Sequence, residues 1–298
     1  MVEFKKILCP VDLSDLSVRT LAYAGAVANW YDGHLTVLHV VPSFTPMEVT
    51  TGLEPISLVY PTSSDAVLEH LRRTVVAAGF DAATVALTAA EGEVAATVVD
   101  QAVEMRADLL VMGTHGRSGF DRFFLGSVAE KVLRKAPCPV LTVPPHAPAT
   151  PPLDVALRTV LCPVDFSPAA LEAFGFALDV ARRADASVVL VHVIEFLAEE
   201  EPLENAHFNV PEFRTYLLED GRQRLDSLAS GESPLPRGVR TVVVPGRAHH
   251  EILRIAANER ADLIVMGAQG RSGAALALFG STTQQVVRGA GCPVLTIR

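Results

Sequence analysis

Two stretches of the chain carry glycines and a serine at a spacing suited to holding an anion. GTHGRSGFDRFFLGS runs from Gly113 to Ser127, and GAQGRSGAALALFGS runs from Gly267 to Ser281. Each reads G-x-x-G, nine further residues, then G-S, at an offset of 154 (267 − 113 and 280 − 126). Glycine lets a backbone turn sharply and come close to a ligand. The Ser that follows stands at an expected helix start, where unpaired amides and the helix dipole attract phosphate. Arg117 and Arg271, each just after the second glycine, can donate charge-assisted hydrogen bonds to phosphate or stand solvated in the loop. His115 in the first loop takes the place of Gln269 in the second, and both side chains can donate to an anion.

A second group of polar residues recurs near the start of each half. ILCPVDLS (Ile7 to Ser14) returns as VLCPVDFS (Val160 to Ser167), placing Asp12 and Asp165 at the end of an apolar run. These carboxylates can accept hydrogen bonds from a ligand or cap the helix that follows. Ser14 and Ser167 suit the capping task, with Pro168 at the first helical turn. His39 and His192 lie in apolar runs and read as core histidines bonded to backbone. His249 and His250 follow Pro245-Gly246 with no third metal ligand in view. The four Cys fall in duplicated pairs, Cys9 with Cys162 and Cys138 with Cys292, each before a Pro, and read as buried thiols. No G-K-[ST] follows the glycine loops, the first apolar run ends in D-x-S rather than G-x-G-x-x-G, and neither HExxH nor a nucleophile elbow is present, so the common catalytic motifs are missing.

The elements that position these residues repeat as well. ADLLVMG from Ala107 matches ADLIVMG from Ala261, and PCPVLTV from Pro137 matches GCPVLTI from Gly291, both offset by 154, whereas the first two blocks are offset by 153 (160 − 7 and 191 − 38). One residue was gained between them. The stretches Pro42–Gly79 and Glu195–Gly231 have diverged most. Short β-branched runs alternate with helical patterns, the mark of an α/β fold on a parallel sheet. Strands are expected at Lys6–Val11, Leu35–Val41, Thr84–Thr88, Leu109–Gly113 and Val140–Val143, and again at Thr159–Val164, Ser187–Ile194, Val239–Val244, Leu263–Gly267 and Val294–Ile297. Helices are expected near Ser17–Tyr31, Ser64–Ala78, Glu93–Arg106 and Ser127–Lys135. Phe123, Phe124 and Leu125, matched by Leu276, Leu278 and Phe279, are expected to pack the glycine loops against protein. Ligands of such sheets sit beyond the carboxyl ends of the strands where strand order reverses, which would join Asp12 to Gly113 and Asp165 to Gly267.

A chain of 298 residues suits two domains, here residues 1–146 and 155–298 joined by 147–154, which overlaps the proline-rich run PPHAPATPP (Pro144 to Pro152). A net charge of −9 with pI near 5.5 argues against a general nucleic-acid binder. No apolar run reaches a membrane span and the N-terminus carries no signal-peptide pattern, so a cytoplasmic protein is expected.

P-V-D-x-S after the first strand, H-V near the end of the second and G-x-x-G-x9-G-S after the fourth, found in order twice, resemble the universal stress protein family. The resemblance covers nearly the whole chain and implies two tandem doubly wound, five-stranded parallel-sheet domains, strand order 3-2-1-4-5, related by a pseudo-two-fold. Fifth strands commonly join domains of this kind, and an apolar edge strand is a liability unless paired, so the two halves are expected to pair within one chain; a homodimer of whole chains stays open.

Some members bind ATP, and both halves carry the full motif. The resemblance implies that Asp12 and Asp165 accept from the nucleoside and that Val40 and Val193 offer backbone to the adenine edge. Gly113, Gly116, Gly126 and Ser127, with Gly267, Gly270, Gly280 and Ser281, would hold the phosphates. Pro10, Val11, Met112, Thr114, His115, Arg117 and Val128 complete the first crevice; Pro163, Val164, Met266, Gln269, Arg271 and Thr282 complete the second. Mg or Mn would accompany the phosphates, with no metal ligated by the protein. The second half departs from the pattern after its last glycine, reading STTQQV where the first reads SVAEKV. The resulting expectation is an ATP-binding stress or regulatory protein with little or no hydrolysis. A slow ATP hydrolase or adenylating enzyme, or a nucleotide-free scaffold, is the alternative.

Overall fold

The computed structural model describes residues 3–42, 64–115, 125–148, 157–195, 210–231, 235–270 and 279–298. The first half runs β1 (Lys6–Pro10), α1 (Asp15–Tyr31), β2 (His34–Pro42), α2 (Ser64–Ala77), β3 (Ala86–Gly92), α3 (Val94–Glu104), β4 (Leu109–Gly113), α4 (Ser127–Lys135) and β5 (Val140–Val143). The second repeats it as β6 (Thr159–Pro163), α5 (Pro168–Ala184), β7 (Ser187–Ile194), α6 (Val210–Ser230), β8 (Val239–Pro245), α7 (Ala248–Asn258), β9 (Leu263–Gly267), α8 (Ser281–Gly289) and β10 (Val294–Ile297). Among the described residues no helix is long and apolar enough to cross a membrane.

All ten strands form one sheet in the order β3-β2-β1-β4-β5-β10-β9-β6-β7-β8. Each half therefore has the order 3-2-1-4-5. Pairing is parallel within each half and antiparallel only at the central seam, where Val294, Leu295 and Thr296 face Thr142, Leu141 and Val140. Leu141 and Leu295 are equivalent residues and oppose one another, so the pseudo-two-fold passes between them. Their neighbours obey it: the Thr142 hydroxyl donates to Val294 O (3.1 Å) and the Thr296 hydroxyl to Val140 O (3.2 Å). Buried hydroxyls must find partners, and each such bond contributes about 1 kcal/mol. Arg298 then breaks the symmetry, donating to Ala136 O and Arg134 O at the end of α4. Its counterpart is Pro144, which has no donor.

Helices cover both faces, which is why the strands read as apolar throughout. Ile7 and Cys9 face a core built with α1, α2, α5 and α6, and Leu8 faces a core built with α3, α4, α7 and α8. Both cores run across the seam. Asp108 and Asp262 explain the repeated A-D-L block. Asp108 Oδ2 accepts from the amides of Lys5 and Lys6, and Asp262 Oδ2 from those of Arg158 and Thr159, tying the entry of β1 and β6 to β4 and β9.

The duplication extends to the backbone. Among the described residues six non-glycine residues have positive φ, and they form three equivalent pairs: Leu13 with Phe166, Asp32 with Asp185, and Arg106 with Arg260. The register also locates the extra residue. Leu38 pairs with Thr88 and Val191 with Val242, so the offset is 153 at the second strand (191 − 38) and already 154 at the third (242 − 88). The gain lies between them, in the divergent middle. Expected and observed elements agree to within about two residues except at β3, which occupies Ala86–Gly92 and not Thr84–Thr88. Thr84 is held in a turn, its amide and hydroxyl both donating to Asp81 O, and the Ala-Ala-Glu-Gly end of the strand lacks the β-branched residues that mark strands in sequence. The four cysteines are free thiols, three buried and Cys292 half-buried. Burial, joined by Asp108 and Asp262 respectively, pushes the Cys138 and Cys292 thiols up to about 12.

Candidate functional site

In each half the chain leaves the first strand, travels outward through the second and third, and returns on the other side at the fourth. Ile7 pairs with Leu109 and Val160 with Leu263, so β1–β4 and β6–β9 border the switch points. The carboxyl ends of these strands are Pro10 and Gly113 in the first half, Pro163 and Gly267 in the second.

Beyond Pro10 the chain makes a tight carboxylate-centred turn. Asp12 Oδ1 accepts from the Ser14 amide (3.0 Å), the Ser14 hydroxyl (2.6 Å) and the Ser17 hydroxyl (2.8 Å). Asp165 Oδ1 accepts from the Ser167 amide (3.0 Å) and hydroxyl (2.5 Å). The residue inside each turn, Leu13 or Phe166, is left-handed at φ 61 or 62. That conformation is costly for a residue with a Cβ and persists only where surroundings enforce it. Here the carboxylate grips the turn from one side. From the other, Phe166 packs against the His192 ring, centroids 4.7 Å apart, and beneath the Arg224 guanidinium at 3.9 Å. Ser167 also caps α5, its Oγ accepting from the Ala170 amide at 3.3 Å. Ser14 does not cap α1 in this way, contrary to expectation; its hydroxyl donates to Asp12 but accepts no amide of α1.

The second strand outruns the first. Leu38 and Val191 pair with the last residues of β1 and β6, and their carbonyls accept from the Val11 and Val164 amides at 2.8 and 2.7 Å. Strand backbone direction repeats every second residue. Val40 and Val193 therefore turn their N–H and C=O to the same side, past the end of β1 and β6 and into the crevice. His39 and His192 fix this corner. Each donates from Nδ1 to the carbonyl of Val11 or Val164, at 2.8 and 2.7 Å, as expected of histidines bonded to backbone.

The glycine loops are pinched at the neck. The Gly126 amide donates to Thr114 O (2.9 Å) and the Gly280 amide to Ala268 O (2.8 Å), while Thr114 and Ala268 bond back to Val143 and Ile297. A Cβ on Gly126 or Gly280 would meet those neck carbonyls at 3.2 and 3.3 Å. A side chain at either glycine would crowd the neck that delivers α4 and α8, whose first residues are Ser127 and Ser281. Gly113 and Gly267 have a packing role too: a Cβ on Gly267 would lie 2.9 Å from the backbone of Ala169 in α5. Gly270 differs. A side chain there would meet Asp165 Oδ2 at 2.8 Å, so the loop glycine and the carboxylate share one space. In the first half Thr114 Oγ1 lies 2.9 Å from His115 Nδ1, and the buried His115 Nε2 has no partner among the described residues. The half-buried Val128 and Thr282 occupy the second position of α4 and α8.

The model of the universal stress protein family matches residues 3–144 and again residues 156–298. The chain belongs to the universal stress protein family. A universal stress protein of Mycolicibacterium smegmatis is 27% identical over 298 residues, covering 98% of this chain and 96% of its own. One of Thermus aquaticus is 34% identical over 47% of this chain and 98% of its own length. The solved structure of a universal stress protein from Archaeoglobus fulgidus covers 98% of this chain and 97% of its own with a TM-score of 0.64 at 20% identity, a likeness of fold.

Within this universal stress protein the expected site residues divide into three groups. Asp12, Val40, Gly126, Ser127 and His115 gather around the first switch point, and Asp165, Val193, Gly270, Gly280 and Ser281 around the second. Val11, Met112, Val164 and Met266 are buried in the cores, so they face the crevices through backbone alone. Gly116, Arg117 and Arg271, with Phe123, Phe124, Leu276 and Leu278, lie outside the described residues. Leu125 and Phe279 do pack into the core of the α4 and α8 face. Sequence reasoning missed Ser17 and the left-handed Leu13 and Phe166. A hydroxyl five residues after the Asp was the available signal for Ser17.

Proposed function

We propose that this universal stress protein holds one adenine nucleotide, ATP with Mg or Mn, in each half, and that it acts by binding and not by rapid turnover. The observation that carries this reading is the convergence, at both switch points, of a gripped carboxylate, a strand edge turned into open space and a glycine-necked loop entering a helix N-terminus. The carboxylate suits ribose hydroxyls, the backbone edge suits adenine, and the amides of α4 and α8 suit phosphates. Two features fit an occupant: the buried Nε2 of His115, without a partner among the described residues, and the narrow space between Gly270 and Asp165, which a Cβ would fill. Amides and hydroxyls of this kind hold phosphates equally in ground and transition states, and uniform binding does not speed chemistry. Turnover is expected well below about 1 s⁻¹. Titration calorimetry of the full chain with MgATP tests the proposal. Two equivalents per chain support it. One equivalent or none refutes it, and phosphate release faster than about one per second that vanishes with Ser127→Ala and Ser281→Ala would favour an enzyme.

A further inference from the structure

The second crevice carries a clamp that the first lacks. Aligning the fully buried Leu71 of α2 with the fully buried Leu225 of α6 sets an offset of 154 (225 − 71), the offset already found at the third strand. On that alignment, and with the matched D-x-S turns, three residues differ together between the halves. Phe166 stands for Leu13, Gly221 for Val67 and Arg224 for His70 (221 − 67 and 224 − 70). In the second half these three meet at one place. Gly221 and Arg224 are three residues apart, on one face of α6. A Cβ on Gly221 would lie 3.1 Å from His192 Cδ2, so the absent side chain lets α6 lie close to that ring. One turn on, the Arg224 guanidinium sits over the Phe166 ring at 3.9 Å, and the same ring meets that of His192 at 4.7 Å.

The clamp bears on the turn that presents Asp165. Phe166 is left-handed at φ 62, which a residue with a Cβ keeps only where its surroundings enforce it. Leu13 holds the same conformation with the help of the Ser17 hydroxyl on Asp12, and in the second half Ala170 stands in place of that donor. There the Phe166 ring supplies the grip. It is anchored to β7 through His192, whose Nδ1 donates to Val164 O just before the turn (2.7 Å), and to α6 through Arg224. The ion pair of Arg224 with Asp220 is 3.8 Å long and half-exposed at both ends, so it contributes little. A flat guanidinium over an aromatic face is the stronger contact.

We propose that Arg224 is a positioning residue of the second nucleotide site: by stacking on Phe166 it holds the left-handed turn, and so the Asp165 carboxylate, where the nucleoside meets it. The role rests on the nucleotide reading above. Apparent affinity falls with the fraction of chains in which the turn is held, and one half-exposed cation–π contact corresponds to about 2- to 5-fold. The test titrates the full chain with MgATP by calorimetry and follows backbone hydrogen exchange without nucleotide. Arg224→Met weakens one site about 2- to 5-fold, leaves the other unchanged, and speeds exchange over residues 164–168 but not over 11–15. Arg224→Lys, which keeps a cation above the ring, recovers part of the loss. Phe166→Leu, the residue of the first half, costs the second site as much, and Arg224→Met adds nothing on top of it. Arg224→Met that leaves both sites and the exchange unaltered overturns the proposal. So do equal weakening of both sites, equal loss in Arg224→Lys and Arg224→Met, or losses that add in the double variant. Two bound MgATP with an inert Arg224→Met overturns this role alone, whereas no MgATP bound by the unaltered chain overturns the nucleotide reading and this role with it.

Discussion

At the first crevice Asp12 Oδ1 draws in Ser14 and Ser17, whereas at the second Asp165 Oδ1 draws in Ser167, and Ala170 stands where Ser17 would be. The missing hydroxyl is answered locally. Ser167 both donates to Asp165 and accepts from the Ala170 amide, capping α5, while Ser14 gives its hydroxyl to Asp12 and leaves α1 without a side-chain cap. One D-x-S motif thus satisfies its turn in two ways, and the residue that chooses between them sits three or five positions downstream. The glycine-loop ends differ in the same manner. Thr114 and His115 form a hydrogen-bonded pair in the first half, where the second has the buried Ala268 and the half-buried Gln269.

The largest effect that can break this comparison comes from removing each carboxylate. Asp12→Ala is expected to weaken the first nucleotide site and Asp165→Ala the second, each by about 1–3 kcal/mol of binding, so calorimetry should resolve one weakened and one unchanged site in either variant. Loss of both sites from one substitution would show that the halves do not act separately. Gly270→Ala should follow in size: its Cβ would press on Asp165 Oδ2 at 2.8 Å, weakening the second site several-fold and sparing the first. Unchanged affinity at both sites would remove the shared space between loop and carboxylate from the account.

A smaller effect sharpens the comparison by exchanging the halves. Ser17→Ala should lower thermal stability by about 1 kcal/mol through loss of its bond to Asp12, and the reverse change, Ala170→Ser, should raise the melting temperature or leave it level. Equal destabilisation by both changes would mean that packing outweighs the hydroxyl. The smallest expected difference concerns the thiols. Cys138 is buried and Cys292 half-buried, but both are pushed up to about 12, first by burial and then by a neighbouring Asp. A raised thiol is protonated at pH 8, with thiolate fractions of about 10⁻⁴, so both should alkylate slowly until the protein is denatured. Rapid labelling of native Cys292 would contradict this.

Much of the architecture is legible along the chain. Fully apolar five-residue runs such as Leu109–Gly113 and Leu263–Gly267 announce strands covered on both faces, and the Gly-Ser pairs mark where α4 and α8 begin. β3 was legible only in part, because Ala89, Ala90 and Glu91 carry no strand signature and take their extended form from pairing with β2. Of the crevices, the carboxylates and glycine loops could be named from spacing. Their division of labour could not: Gly126 and Gly280 serve the loop neck, and Gly270 faces Asp165.

The sequence alone determined that the fold is built twice, that each half alternates strands and helices, and that both halves carry the same polar residues at equivalent points. These are properties of period and local backbone preference, which neighbouring residues encode. Tertiary structure decided what depends on partners far away in the chain. It set Leu141 against Leu295 in an antiparallel seam, turned the Val40 and Val193 backbones past the ends of β1 and β6, and buried Tyr31 beneath Arg183 of the other half. Contacts of that kind are selected by how the two halves pack together, and packing is a property of the assembled surface and not of any one segment.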